Sequence, residues 1–240
     1  MTEEKQNNTT AVNAHPSYRF LIVWLKTALF GFCVYSIFSI YLFFRYGYLS
    51  MYFVNEAIAE TGVVLLGLSM ILSSVCYFWN FADSKLIYRK YLGVGGLICG
   101  IMHALVILLF LGDEFSFPSY FFSHWLAIGF GLLAIILFIF IVMISTKKMI
   151  ARIGGQRWRK TIRYVGYIGY VFVVIHFSMQ KYPEWISWMF TRKPSMLPPL
   201  SIFTGLFAVT VIIMRLVLWR ALVKKSMNPG LRITNEEKNS

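Results

Sequence analysis

The chain has 240 residues and a formal net charge of +13, with 58% hydrophobic, 18% aromatic and only 14% charged residues. Soluble domains carry about a quarter charged residues, so this composition excludes an ordinary soluble domain and indicates a membrane protein. The three cysteines, Cys33, Cys76 and Cys99, include no CxxC pair, so neither a disulfide framework nor a zinc site is predicted.

Six segments are apolar enough to cross or nearly cross a bilayer, whose core requires about 20 apolar residues per helix. They are residues 20–44, 61–81, 91–111, 121–146, 164–179 and 200–219. Residues 1–19 are polar, lack the basic region of a signal peptide and predict a disordered tail, and residues 223–240 predict a second tail. The sequence therefore predicts an all-α integral membrane protein, with a six-helix bundle over residues 20–222.

The basic residues are distributed unevenly between the two sides of this bundle. If both termini are cytoplasmic, every lysine and arginine except Arg45, Lys181, Arg192 and Lys193 lies in a cytoplasmic segment. This positive-inside pattern predicts cytoplasmic termini and accounts for the net charge without nucleic-acid binding. The basic run at residues 147–160 is expected to contact anionic membrane lipid.

Two histidines lie inside predicted helices at matching depth. His103 follows Arg89 by 14 residues and His176 follows Arg163 by 13, which places each ring about 20 Å from the basic boundary. Ionisable residues inside a membrane are costly and point to function. Two neutral imidazoles can ligate one haem iron and favour electron transfer, so both histidines are predicted iron ligands. A hydrogen bond from each ring to a neighbouring carbonyl is the alternative.

The same glycine pattern, G-x2-G-x6-H, precedes both histidines. Gly96 and Gly169 lie seven residues before His103 and His176, nearly two helical turns away and on the same face as the ring. A strip without side chains leaves space for a flat group such as a porphyrin, so both glycines are predicted to line the cofactor site. Close helix packing is the alternative, because small residues on transmembrane faces usually serve it.

Two longer stretches resemble the ferric-reductase-like transmembrane family. Residues 88–106, "YRKYLGVGGLICGIMHALV", are similar to its third helix, where a basic pair and Leu-Gly precede a helix with one histidine. Residues 123–177 are similar to its fourth and fifth helices, and the matching positions are Ser145, Thr146, Gly154, Arg157, Trp158, His176 and Phe177. The resemblance covers residues 55–220 and includes the six-helix count. Within the family, the chain looks most like the MsrQ type, the haem-binding membrane subunits of the periplasmic methionine sulfoxide reductase system.

The resemblance implies one b-type haem between the third and fifth helices, with His103 and His176 as its ligands near the outer face. It implies electron transfer toward an extracytoplasmic partner such as a methionine sulfoxide reductase. The donor would be a cytoplasmic flavin reductase or a quinol, with FMN or a quinone on that side. The chain departs from the family at Ile162, where members usually have another histidine, so a second bis-histidine haem is excluded.

Two other functions remain open on the sequence. The haem could reduce ferric iron or another small oxidant at the surface without a protein partner, or a haem-free relative could serve as a scaffold or small-solute transporter. The chain contains no GxGxxG motif and no P-loop, so it is not expected to take hydride from a nicotinamide by itself. It is expected to be an oxidoreductase subunit and not a self-sufficient enzyme.

Several polar residues toward the outer side carry weaker expectations. His124 is expected to belong to an interfacial aromatic belt, with a place near a haem propionate as the alternative. Glu56 and Glu60 are expected to be solvated before the second helix. Residues 181–199 are expected to form an outer loop that lies on the interface or docks an electron acceptor. The cations of that loop, Lys181, Arg192 and Lys193, are candidates for pairing with haem propionates.

Overall fold

The computed structural model describes residues 16–111, 119–191 and 197–227, without the side chains of residues 16–19, 80–82 and 225–227. Most of both predicted tails, together with Arg192 and Lys193, therefore lies outside the described residues.

Helices make up all the regular structure in these described ranges. Their bounds are α1 Pro16–Tyr46, α2 Met51–Phe78, a 3-10 helix Asn80–Lys85, α3 Tyr88–Phe110, α4 Ser119–Ile144, α5 Lys147–Ile153, α6 Gly155–Thr191 and α7 Leu200–Met227. Six of them, all except α5 and the 3-10 helix, are long and apolar enough to cross a bilayer. The predicted all-α, six-helix membrane architecture is confirmed.

Two capping side chains and one glycine define where α2, α5 and α6 begin. The Ser50 hydroxyl accepts a hydrogen bond from the Phe53 backbone N–H and caps the start of α2, and Thr146 caps α5 through Met149 in the same way. Gly154 separates α5 from α6 with a φ of 86°, a left-handed conformation that glycine adopts at little cost. The basic connection between α4 and α6 is therefore one short helix and a tight turn.

Several helices are longer than hydropathy predicted, and among them α2 and α6 carry ion-paired charges in the added turns. The second span begins at Met51 instead of residue 61, and the fifth extends from Gly155 to Thr191 instead of covering residues 164–179. The prediction that residues 181–199 form an outer loop is wrong for residues 181–191, which continue α6. The physical reason at the ends that carry Glu56 and Lys181 is that these two side chains form an ion pair inside the bundle, as described below.

The second helix is the centre of the bundle. Half of the residues in the most apolar part of α2 are buried. This helix contacts α1, α3, α6 and α7, whereas α4 packs mainly on α6. Its apolar core, formed with α6 and α7, consists of Val63, Leu66, Met70, Tyr170, Ala208 and Val211. The helices that carry the two histidines, α3 and α6, both contact this central helix, α3 far more closely than α6.

Candidate cofactor site

The two intramembrane histidines meet inside the bundle. The ring centroids of His103 on α3 and His176 on α6 are 6.4 Å apart, with the ring planes at 72°. Two metal–imidazole bonds of about 2 Å, with about 1 Å from each nitrogen to its ring centre, put the centroids of opposed ligands about 6 Å apart. The observed separation therefore fits one metal between the rings.

One nitrogen of each ring is already bonded to the protein. His103 Nδ1 lies 3.1 Å from Asn55 Oδ1 of α2, and His176 Nδ1 lies 2.7 Å from the carbonyl oxygen of Ala127 in α4. Both partners are acceptors, so each Nδ1 carries the proton and donates it. Neither Nε2 has a hydrogen bond in the described part of the chain. Each ring therefore has an acceptor that fixes its orientation and a free nitrogen with ligand character.

A glycine of α4 makes room for one of these rings. A Cβ at Gly131 would lie 2.9 Å from His176 Nδ1 and 3.1 Å from its Cε1, whereas a Cβ at Gly129 would meet nothing within 4 Å. Only a residue without a side chain allows His176 its observed position. The sequence analysis missed Gly131 and Asn55, because neither belongs to the glycine pattern or to the helices that carry the histidines.

Both histidines line one cavity of about 430 Å³, a size within the usual range for small-molecule sites. Its walls are mostly apolar side chains of α2, α3, α4 and α6. Polar groups gather toward one part of the lining: Tyr52, Glu56, Glu60, Tyr120, Gln180 and Lys181. A largely apolar cavity with two convergent imidazoles is the arrangement expected for an apolar macrocycle with polar substituents.

The two glycines predicted to line the site have different contacts. A Cβ at Gly96 would lie 2.6 Å from Leu66 Cγ and 3.0 Å from the Gly62 carbonyl oxygen, so Gly96 brings α3 against α2, and it also lines the cavity. A Cβ at Gly169 would lie 3.2 Å from the Phe138 ring of α4, and Gly169 is not part of the cavity lining. The contacts of Gly169 are those of helix packing, the alternative that the sequence left open.

The polar part of the cavity lining adjoins a buried ion-pair network. Lys181 Nζ lies 2.6 Å from Glu56 Oε1 and 3.5 Å from Glu184 Oε2, and Arg45 Nη2 lies 3.0 Å from Glu184 Oε1. The expectation that Glu56 and Glu60 are solvated is wrong, since they are 6% and 1% exposed. Because Lys181 is neutralised by two carboxylates, it is not a free cation for a propionate.

The remaining candidate histidine lies beside a residue of the cavity lining, Tyr120. His124 interrupts α4 with non-helical dihedrals, its ring stacks on Tyr120 at 4.3 Å, and its Nδ1 contacts the Ser123 hydroxyl at 2.8 Å. It is not part of the cavity lining. These contacts agree with a place among aromatic side chains at the end of the span.

The donor set suits a metal whose other ligands are not protein groups. Within residues 16–111, 119–191 and 197–227, no three His, Cys, Asp or Glu side chains cluster to hold a metal ion. Metal ions without a macrocycle are usually held by three or more such side chains. Two imidazoles across an apolar cavity instead match the axial ligands of a porphyrin, so the residues present fit a haem.

Comparison of the chain with models of known protein families and with curated proteins found no match. The function is therefore inferred from the geometry of the two histidines and their partners.

Proposed function

We propose that the chain binds one b-type haem through His103 and His176 and serves as an electron-transfer subunit of the membrane. Electrons would pass toward the extracytoplasmic face, to a partner reductase such as a methionine sulfoxide reductase. The observation that carries the proposal is the pair of imidazoles 6.4 Å apart, each with Nδ1 bonded to an acceptor of another helix. When bound, a haem with two imidazole ligands supplies a one-electron redox centre.

Four helices contribute to holding the ligands. The imidazoles come from α3 and α6, and their orientation comes from Asn55 of α2 and the Ala127 carbonyl of α4. An acceptor on Nδ1 fixes the tautomer and raises the basicity of Nε2, the nitrogen that would bind iron. The buried position of Asn55, which is 4% exposed, keeps water from competing for this hydrogen bond.

The surroundings of the site favour electron transfer over chemistry on a bound small molecule. His103 and His176 would both hold the haem, and a haem held by two imidazoles would serve electron transfer and not oxygen binding. The apolar walls limit the access of water to the rings.

The electron donor is expected on the basic side of the bundle. The chain has no nucleotide-binding motif of its own, so a flavin reductase, acting through FMN, or a quinol would supply electrons there. The lysines and arginines of α5 and the start of α6, including Lys148 and Arg157, offer a positive surface to an anionic flavin.

Haem content of histidine variants tests the proposal. The full chain is expressed with ample porphyrin precursor and purified in detergent, and haem per chain is measured from the dithionite-reduced spectrum. We expect one haem in the wild type and a loss of about tenfold or more in His103→Ala and in His176→Ala, because each change removes an axial ligand.

His124→Ala is the matched control, since this ring lies in the same membrane region but outside the cavity lining. It is expected to retain wild-type haem content. A colourless wild-type preparation would exclude haem binding and favour the scaffold or transporter function. Wild-type spectra from both ligand variants would show that the haem is held elsewhere, and two haems per chain would contradict the exclusion drawn from Ile162.

A further inference from the structure

A buried arginine of α7 has donors that the protein does not satisfy. Arg215 is 7% exposed, its Nη1 donates a long hydrogen bond of 3.4 Å to the Tyr167 hydroxyl, and its guanidinium carbon lies 5.2 Å from the centre of the Tyr167 ring. Its Nε and Nη2 are buried without a hydrogen-bond partner in the described part of the chain. An aromatic ring offsets part of the charge, but buried N–H donors without acceptors remain costly.

Two further arginines belong to this region. Arg163 lies one helical turn before Tyr167 on α6, and Tyr167 is the residue that Arg215 contacts. Arg163 and Arg89, at the start of α3, both interact electrostatically with Arg215. The Ser69 hydroxyl donates a 2.7 Å hydrogen bond to the backbone carbonyl of Arg89, which fixes the start of α3 against α2. Arg163 is exposed, Arg89 is half-buried and Arg215 is buried. The group therefore combines one exposed, one half-buried and one buried arginine.

No carboxylate neutralises this arginine group among the residues that the structure describes. The ion pairs found there join Lys181 and Arg45 to Glu56 and Glu184, and none includes Arg89, Arg163 or Arg215. Like charges in a low-dielectric region repel strongly, and an unpaired buried charge costs several kcal/mol. The arrangement has the donors and charge of an anion site and no anion from the protein.

We propose that Arg89, Arg163 and Arg215, with the Tyr167 hydroxyl, bind a phosphate group, carried by an anionic phospholipid or by a soluble phosphate. Planar guanidinium groups bind phosphate oxygens through paired hydrogen bonds. Basic pockets between transmembrane helices on the cytoplasmic side bind lipid head groups in this way. The site lies about 20 Å along α6 from His176, as 13 residues separate it from Arg163, and it does not depend on haem binding.

Thermal unfolding of the delipidated full chain in neutral detergent tests the site. The unfolding midpoint, followed by tryptophan fluorescence, is titrated with phosphatidylglycerol, with phosphatidylcholine and with inorganic phosphate. We expect the midpoint to rise with phosphatidylglycerol, with inorganic phosphate, or with both, and not with phosphatidylcholine. A rise with the lipid alone assigns the site to a phospholipid head group, and a rise with inorganic phosphate assigns it to a soluble phosphate.

Arginine variants identify the site of binding. Arg215→Gln is expected to weaken binding of the anion that stabilises the wild type about tenfold or more, because it removes charge-assisted hydrogen bonds. Arg220→Gln is the matched control, an exposed arginine of the same helix, and is expected to respond like the wild type. Should Arg215→Gln not fold, the exposed Arg163→Gln replaces it. Equal responses of the wild type and the Arg215 and Arg163 variants, or no anion response of the wild type, would overturn the proposal.

Discussion

At the scale of single residues, the position of His176 depends on a glycine that makes no bond. A methyl group at Gly131 would approach His176 Nδ1 to 2.9 Å, closer than van der Waals contact allows. The ring would have to turn, which would break its 2.7 Å hydrogen bond to the Ala127 carbonyl. A ligand of the proposed haem must keep its orientation, so a methyl group at Gly131 should weaken haem binding.

Gly131→Ala is therefore expected to lower haem affinity by about tenfold to a hundredfold, the usual effect of losing a partner of a metal ligand. The measurement is haem retention against a haem-accepting apoprotein, with the reduced spectrum recorded in parallel. Gly129→Ala, in the same helix and with nothing within 4 Å of its added Cβ, is the control. Equal haem retention in the two variants would show that the ring position does not matter.

Residue spacing could predict that the two rings meet but not what holds them. The depths of His103 and His176 follow from counting residues along their own helices, and the two counts place the rings at the same depth in the membrane. Asn55 and Gly131 belong to α2 and α4, and whether they face a ring depends on the rotation of those helices in the bundle. Hydrophobic patterns determine that rotation poorly when the outer solvent is itself apolar lipid.

At the scale of elements, hydropathy predicted the number of membrane-spanning helices and underestimated the length of several, α2 and α6 among them. A hydropathy scale treats Glu56 and Lys181 as isolated charges that end a membrane span, although their side chains form a 2.6 Å ion pair. The partners are 125 positions apart in sequence, so only the packed bundle brings them together. A paired charge costs far less in a buried environment than two separate ones, which allows α2 and α6 to extend beyond the predicted spans.

The contact between α2 and α3 yields a prediction at this scale. A Cβ at Gly96 would lie 2.9 Å from the Leu66 backbone nitrogen and 3.0 Å from the Gly62 carbonyl oxygen, and backbone atoms cannot yield as a side chain can. Gly96→Ala should separate the helices and reduce the free energy of unfolding by about 1–3 kcal/mol. The measurement is the thermal unfolding midpoint of the haem-free chain in detergent.

Gly100→Ala is the control, one turn further along α3 with nothing within 4 Å of its added Cβ. Its unfolding midpoint should equal that of the wild type or rise slightly, since alanine favours a helix more than glycine does. If the Gly96 variant unfolds at the wild-type temperature, the close approach of α2 and α3 contributes nothing to stability.

At the scale of the whole molecule, the two ends of the bundle differ in charge and in the groups that they bury. One end carries α5, Arg89 and Arg163, and the other carries the network of Lys181, Glu56 and Glu184. Positive charge is retained on the cytoplasmic side of membranes. The basic end is therefore predicted to be cytoplasmic, which would place the cavity's polar lining toward the outer face, the side on which the proposed electron acceptor is expected.

Labelling of single cysteines tests this orientation in a chain whose three native cysteines are replaced by serine or alanine. Tyr48→Cys lies in the turn between α1 and α2, where the tyrosine is 58% exposed, and Lys148→Cys lies on the exposed side of α5. A membrane-impermeant maleimide applied to intact cells should label Cys at position 48 and reach position 148 only after the membrane is opened. The opposite result would place the ion-pair network of Lys181 at the cytoplasmic end of the bundle, and electron delivery to the proposed extracytoplasmic partner would then require a longer path through the bundle.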